Sequence, residues 1–266
     1  MLPLATNLAA SLLYLAASIY LLLLIKQQRS FKQKAAFSLT LGAIILHGIG
    51  VYQLMALEAG IDLGIFKMAS FIVFAINVLI LISSLRKPLH NLFIFFFPLS
   101  ILCIALSTTL PQYSHSMQVS HGVAAHILLS IIAYSVLSIA TLQAILWSWQ
   151  NHQLKKNQLT GAVKLLPPLQ TMELLIFELL WAGVILLALG IMAGFIYLDN
   201  IFAQQLVHKT VLSLFALMVF AALLWGRHNL GWRGNTAVKW LLSGFCLLML
   251  AYFGSKVVLE LILNQG

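Results

Sequence analysis

The chain has 266 residues, 62% of them hydrophobic and 8% charged, with a mean hydropathy of +1.00. That composition excludes a soluble globular domain and marks an integral membrane protein. The net charge of +9 comes without a basic cluster interleaved with exposed aromatics, so no nucleic-acid partner is expected.

A bilayer span needs about 20 mostly apolar residues, and eight windows qualify, near 4–25, 36–57, 66–85, 91–110, 123–148, 173–197, 210–226 and 237–262. The seventh is short, and its neighbours are expected to extend it. The first carries its positive cluster on the far side, at Lys26, Arg29, Lys32 and Lys34, and so reads as a retained span rather than a cleavable signal. Arg86 and Lys87, then Lys155, Lys156 and Lys164, then Arg227, Arg233 and Lys239 fall in alternate connections. Twelve of the fifteen Lys and Arg residues thus share one side, with Lys67, Lys209 and Lys256 as exceptions. Glu58, Asp62, Asp199 and Glu260 lie on or near the other side. By the positive-inside rule both termini face out. The expected fold is an all-α integral membrane protein, a single polytopic domain of eight transmembrane helices. Its two halves, 1–149 and 173–266, would be joined by an inner loop. Cys103 and Cys246 both lie inside spans without CxxC spacing, so neither a disulfide framework nor a thiol redox motif is supported.

In chain order, span one reads as an anchor. Span two carries His47 near its centre, beside Gly48 and Gly50. An ionisable residue at mid-bilayer is a functional-site hypothesis by default; the plain alternative is a neutral histidine bonded to a carbonyl. Span three holds Asn77, a plausible interhelical hydrogen-bond group, and span four holds Pro98. The outer loop from Pro111 to Gly122 carries His115 and His121. Span five is the most patterned stretch: His126, Ser130, Tyr134, Ser138 and Thr141 follow one another at helical spacing through apolar sequence. Polar groups facing lipid are costly, so this stripe should face other helices or a cavity. Without a ligand, His126 would close the stripe with an interhelical hydrogen bond. Span six opens on Glu173 and Glu178, acids that suit a helix N-terminus, and contains the Gly190/Gly194 pair, a common packing device. His90, His152 and His228 sit among basic residues at the inner interface, and His115 and His208 in outer loops; a solvated role fits all five. Trp225, Trp232 and Trp240 fit an interfacial belt. No phosphate loop, Ser/His/Asp set or zinc motif is present, so no enzyme reading has positive support.

Three segments together resemble the cytochrome c assembly proteins, the CcsA/CcmC/HemX-like haem handlers, and within them the YpjD-like bacterial inner-membrane branch. They are His126-x-x-x-Ser130-x-x-x-Tyr134; Leu166-Pro167-Pro168-Leu169 with Met172-Glu173; and Gly231-Trp232-Arg233-Gly234 followed by Tyr252-Phe253-Gly254-Ser255-Lys256. The resemblance implies haem b held by histidine axial ligands, with His126 as an external ligand, His47 as one within an early span, and His121 within reach of the outer site. It also implies partners among haem-handling or cytochrome c maturation proteins, and a bacterial inner-membrane location.

The departures bear on activity. Asp199 to Gln205 stand where the family carries a tryptophan-rich WWD segment, Leu263 stands near the second external histidine, and Trp225, with His228 one turn away, stands for another intramembrane one. At ~1.5 Å rise per residue, His47 lies about 14 Å below the outer end of its span and His126 about 5 Å below its own, so each is better suited to lone ligation than to clamping one iron. The expectation is haem binding or transfer without complete haem lyase activity. A small-molecule or ion transporter, prompted by His47, Asn77 and the stripe, is one alternative. A haem-free regulatory or scaffolding membrane protein is the other.

Overall fold

The computed structural model describes residues 2–27, 34–57, 60–110, 116–156, 163, 166–197 and 207–258. Eight of its helices are long and apolar enough to cross a membrane, at the places the hydropathy windows mark. Hydrocarbon offers backbone amides no water, so such stretches form helices, which pair those groups internally. The seventh runs Val207–Asn229, six residues beyond its window, because flanking residues that are too polar for a hydropathy window still continue the backbone pairing.

The described chain falls into two compact units, one built from residues before Ser120 and the other from Ser120–Val258. The first contains α1 (Leu2–Lys26), α2 (Lys34–Met55), α3 (Ile65–Ser84) and α4 (Phe93–Thr109), with a 3-10 turn at His90–Leu92 leading into α4. Each helix packs on two others, in the cyclic order α1–α2–α3–α4. Tyr14, Phe93 and Phe97 form the fully buried centre, with Phe93 and Phe97 stacked at 4.6 Å and Tyr14 tilted against Phe97 at 5.2 Å. The opposite face of α1 leaves Leu4, Leu8, Leu12, Leu15 and Ile19 exposed at steps of three and four, a lipid-facing stripe.

A small antiparallel sheet adds to the all-α expectation: β1 (Ala56–Leu57), β2 (Gly60–Asp62) and β3 (Ser116–Met117), with Ile61 opposite both Ala56 and Met117. Strands this short have no periodicity for a sequence to display. At the end of β2, Asp62 Oδ1 accepts the Gly64 N–H at 2.9 Å, and its carboxylate pairs with Lys67. One exception to the charge pattern is thereby neutralised by its own neighbour.

The second unit contains α5 (His121–Lys155), α6 (Leu169–Tyr197), α7 (Val207–Asn229) and α8 (Gly234–Met249), the last running into a π-helical turn at Leu250–Gly254. These too pack in cyclic order, α5–α6–α7–α8. The boundary falls at Ser120 because α5 lies along α6. Ala133, Leu137, Ala140 and Ala144 of α5 are fully buried, and small residues at such spacing allow close helix approach. The 35 residues of α5 rise about 52 Å, against a hydrocarbon core of ~30 Å, so its last turns leave the membrane.

One mid-membrane polar pair in the first unit links two helices. Asn77 Nδ2 donates to Ser100 Oγ at 2.7 Å and to the Val73 carbonyl at 3.0 Å. Ser100→Ala is expected to cost about 1 kcal/mol, the scale of one interhelical hydrogen bond in a membrane. Unfolding by sodium dodecyl sulfate titration in mixed micelles measures it.

Candidate functional site

α5 begins where Ser120 Oγ accepts the Val123 N–H at 3.4 Å, an N-cap. Six residues on, His126 projects onto α6, where its Nδ1 lies 2.6 Å from the Gly190 carbonyl oxygen. A carbonyl only accepts, so Nδ1 carries the proton. In the neutral ring Nε2 is then the atom with the lone pair, and among the described residues no hydrogen bond occupies it. The ring is half-buried. Gly194 makes this seat: a Cβ there would stand 3.0 Å from both His126 Cε1 and Nδ1, so a side chain would push the ring off its carbonyl. The Gly190/Gly194 pair, readable in sequence as a packing device, is therefore the histidine's socket.

Two hydroxyls further along the stripe are quenched within their own helix. Ser138 Oγ donates to the Tyr134 carbonyl and Thr141 Oγ1 to the Leu137 carbonyl, both at 2.7 Å, the i−4 bonding typical of hydroxyls in apolar helices. Tyr134 reaches across and donates to the Leu248 carbonyl, just ahead of the π turn. Its ring meets Tyr252 edge-on at 5.7 Å. At the head of the stripe, His126 keeps Nε2 uncommitted among the described residues.

His47 has a different surrounding. It is fully buried, with Nδ1 3.0 Å from the Tyr14 hydroxyl and Nε2 3.0 Å from Ser70 Oγ. Tyr14 and Phe74 meet its ring edge-on, each at 5.6 Å. Both in-plane nitrogens are engaged, so ligation would have to break a buried hydrogen bond. Tyr14 was hidden in a span that reads as a plain anchor; α1 instead supplies the hydroxyl that fixes His47.

His121 is exposed as the first residue of α5. Five residues before His126, it sits about 140° around the helix and ~7.5 Å along it. His152, His208 and His228 are exposed, and so is Trp225, 59% of whose surface is accessible. His115, the Asp199 to Gln205 segment and Leu263 lie outside the described residues. Among the described residues no three His, Cys, Asp or Glu side chains gather as a metal cluster. A porphyrin iron asks for less, because the macrocycle supplies four nitrogens and the protein one or two. An imidazole with Nδ1–H on a backbone carbonyl and Nε2 open meets that requirement, and His126 is that imidazole.

A second polar cluster escaped the sequence. Glu173, buried at the start of α6, accepts through Oε1 from Arg227 Nη1 at 3.0 Å and Arg233 Nε at 2.9 Å. Arg227 also lies 4.5 Å over the Phe177 ring. The adjacent carboxylate holds the Arg233 guanidinium above its already high range, so it stays charged. The acid of span six is thus clamped by two arginines 54 and 60 positions away, a separation that no local pattern reveals.

Eight apolar helices, with one open imidazole seated on a neighbouring helix, define a polytopic membrane protein. The cytochrome c assembly protein model matches residues 5–263, and the chain belongs to that family. It is 31% identical over 242 residues to the inner membrane protein YpjD of Escherichia coli K12, covering 90% of this chain and 91% of the relative. The Escherichia coli O157:H7 protein of the same name matches equally. An uncharacterized 28.8 kDa protein of Azospirillum brasilense is 31% identical over 141 residues, 52% of each chain. No solved structure matches.

The His126 seat predicts a specific tautomer. In 15N-histidine-labelled protein in detergent, two-bond 15N–1H correlation should show His126 protonated at Nδ1. In Gly194→Val the ring should lose that signature. A wild-type ring protonated only at Nε2 would contradict the seat.

Proposed function

We propose that the protein is a haem-handling component of cytochrome c biogenesis in the inner membrane, and that His126 Nε2 is its iron ligand. The single observation that carries this reading is the 2.6 Å bond from His126 Nδ1 to the Gly190 carbonyl. It fixes the ring, sets the tautomer and leaves one lone pair for a metal. Family membership supports the haem and cytochrome c parts of the reading. The relatives' inner-membrane description supports the location, and the basic-loop asymmetry supports a topology with both termini outside.

Haem b, when bound, supplies an iron whose electronics follow from its axial ligand. The chain's own contributions are separate. Gly190 offers the carbonyl, Gly194 the clearance, and Ser120 the cap that starts the helix six residues before the ligand. His47 serves in this reading as a tie between α1, α2 and α3, since both of its nitrogens are spent on hydroxyls. His121 lies beside the outer end of the site and takes no assigned contact. Binding or passing haem through one protein ligand suits an accessory or transfer role rather than thioether formation.

Protein produced with ample haem supply is expected to purify with a Soret band. His126→Ala should lower haem per protein by about tenfold, the scale of losing one strong polar interaction of ~1.4 kcal/mol. His47→Ala should keep most of the haem while lowering stability. The pyridine haemochrome assay measures the first, and detergent unfolding the second. Colourless wild-type protein would overturn the reading, and full haem loading of His126→Ala would remove His126 from it. A colourless preparation that retains a stable partner would instead support the scaffolding alternative.

A further inference from the structure

The Glu173–Arg227–Arg233 cluster has more positive charge than its own fold uses. Both guanidiniums converge on Oε1 of one carboxylate, so the cluster keeps a surplus of one positive charge. Arg227 is the inner member. Its side chain is 25% exposed, it sits over Phe177, and it also donates to the Trp232 carbonyl at 3.5 Å. Arg233 is the outer member, with 62% of its side chain exposed. Its Nε is spent on Glu173, and among the described residues its two Nη groups have no partner. A guanidinium held at Nε presents those two groups as a fixed fork, the geometry that grips two oxygens of a phosphate.

The depth of the cluster fits a lipid headgroup. It lies where α6 starts, α7 ends and α8 begins. Trp147 Nε1 donates to the Leu169 carbonyl and Gln150 Nε2 to the Pro167 carbonyl, so the basic end of α5, with exposed Lys155 and Lys156, belongs to the same end of the unit. Trp232 stacks on Trp240 at 4.9 Å, and indoles concentrate at headgroup level. The connecting turn is packed into place: a Cβ at Gly226 would stand 2.3 Å from Trp232 Cε3, so the bare glycine lets that ring close down beside Arg233.

We propose that Arg233, aimed by Glu173 and backed by Arg227, binds the phosphate of an anionic phospholipid headgroup. Basic clusters at the ends of membrane helices recognise acidic lipids by this chemistry. The site is independent of haem, because no residue in it belongs to the His126 seat.

Native mass spectrometry of the full chain in mild detergent, titrated with phosphatidylglycerol or with phosphatidylcholine, tests the proposal. Wild type should retain phosphatidylglycerol over phosphatidylcholine, and Arg233→Gln should lower that retention by about tenfold, as expected for a lost charge-assisted contact. Lys156→Gln, an equal change of charge at the same end, should alter it less than about twofold, as expected of a solvated charge. Four results would overturn the proposal: equal retention of the two lipids, no effect of Arg233→Gln, an equal loss with Lys156→Gln, which would mean diffuse attraction, or displacement of the lipid by millimolar inorganic phosphate, which would make the ligand a free anion.

Discussion

A polar group inside hydrocarbon must find its partner within the protein, and this constraint shapes both units. His47 satisfies it completely, with Tyr14 on one nitrogen and Ser70 on the other. Asn77 reaches Ser100, Tyr134 reaches the Leu248 carbonyl, and Ser138 and Thr141 turn back on their own helix. His126 is held differently from His47. One nitrogen is held firmly and the other is left open at a half-buried position. A histidine needed only for packing would gain by closing both.

The two intramembrane histidines, equivalent as candidates in the sequence, differ in their surroundings. His47 ties α1, α2 and α3 through a fully buried ring whose two nitrogens are both engaged. His126 sits on the Gly190 carbonyl, with its ring against the bare Cα of Gly194. Where another intramembrane histidine would stand, Trp225 is exposed, and His228 beside it is exposed as well.

The eight spans were legible in the sequence because hydropathy runs of sufficient length leave no other backbone solution, and their order survived in the structure. The small β1–β2–β3 sheet was not legible, since two or three residues carry no period. His126 could be singled out as the head of a stripe on one helix, where spacing is local information. Its partner could not, because the Gly190 carbonyl is 64 residues away and a backbone oxygen has no sequence signature. The same distance hid Tyr14 from His47, 33 residues apart, and Arg227 and Arg233 from Glu173. Lys67 looked like a breach of the charge asymmetry until Asp62 was found paired with it. Patterns within one element were readable; pairings between elements were not.

The central claim is that an imidazole nitrogen of His126 meets haem iron. Pulsed electron paramagnetic resonance on 15N-histidine-labelled protein loaded with ferric haem addresses it directly. The account predicts a histidine nitrogen coupled to the iron that vanishes in His126→Gly and returns as an unlabelled coupling when free imidazole is added. A labelled coupling that persists unchanged in His126→Gly would contradict it.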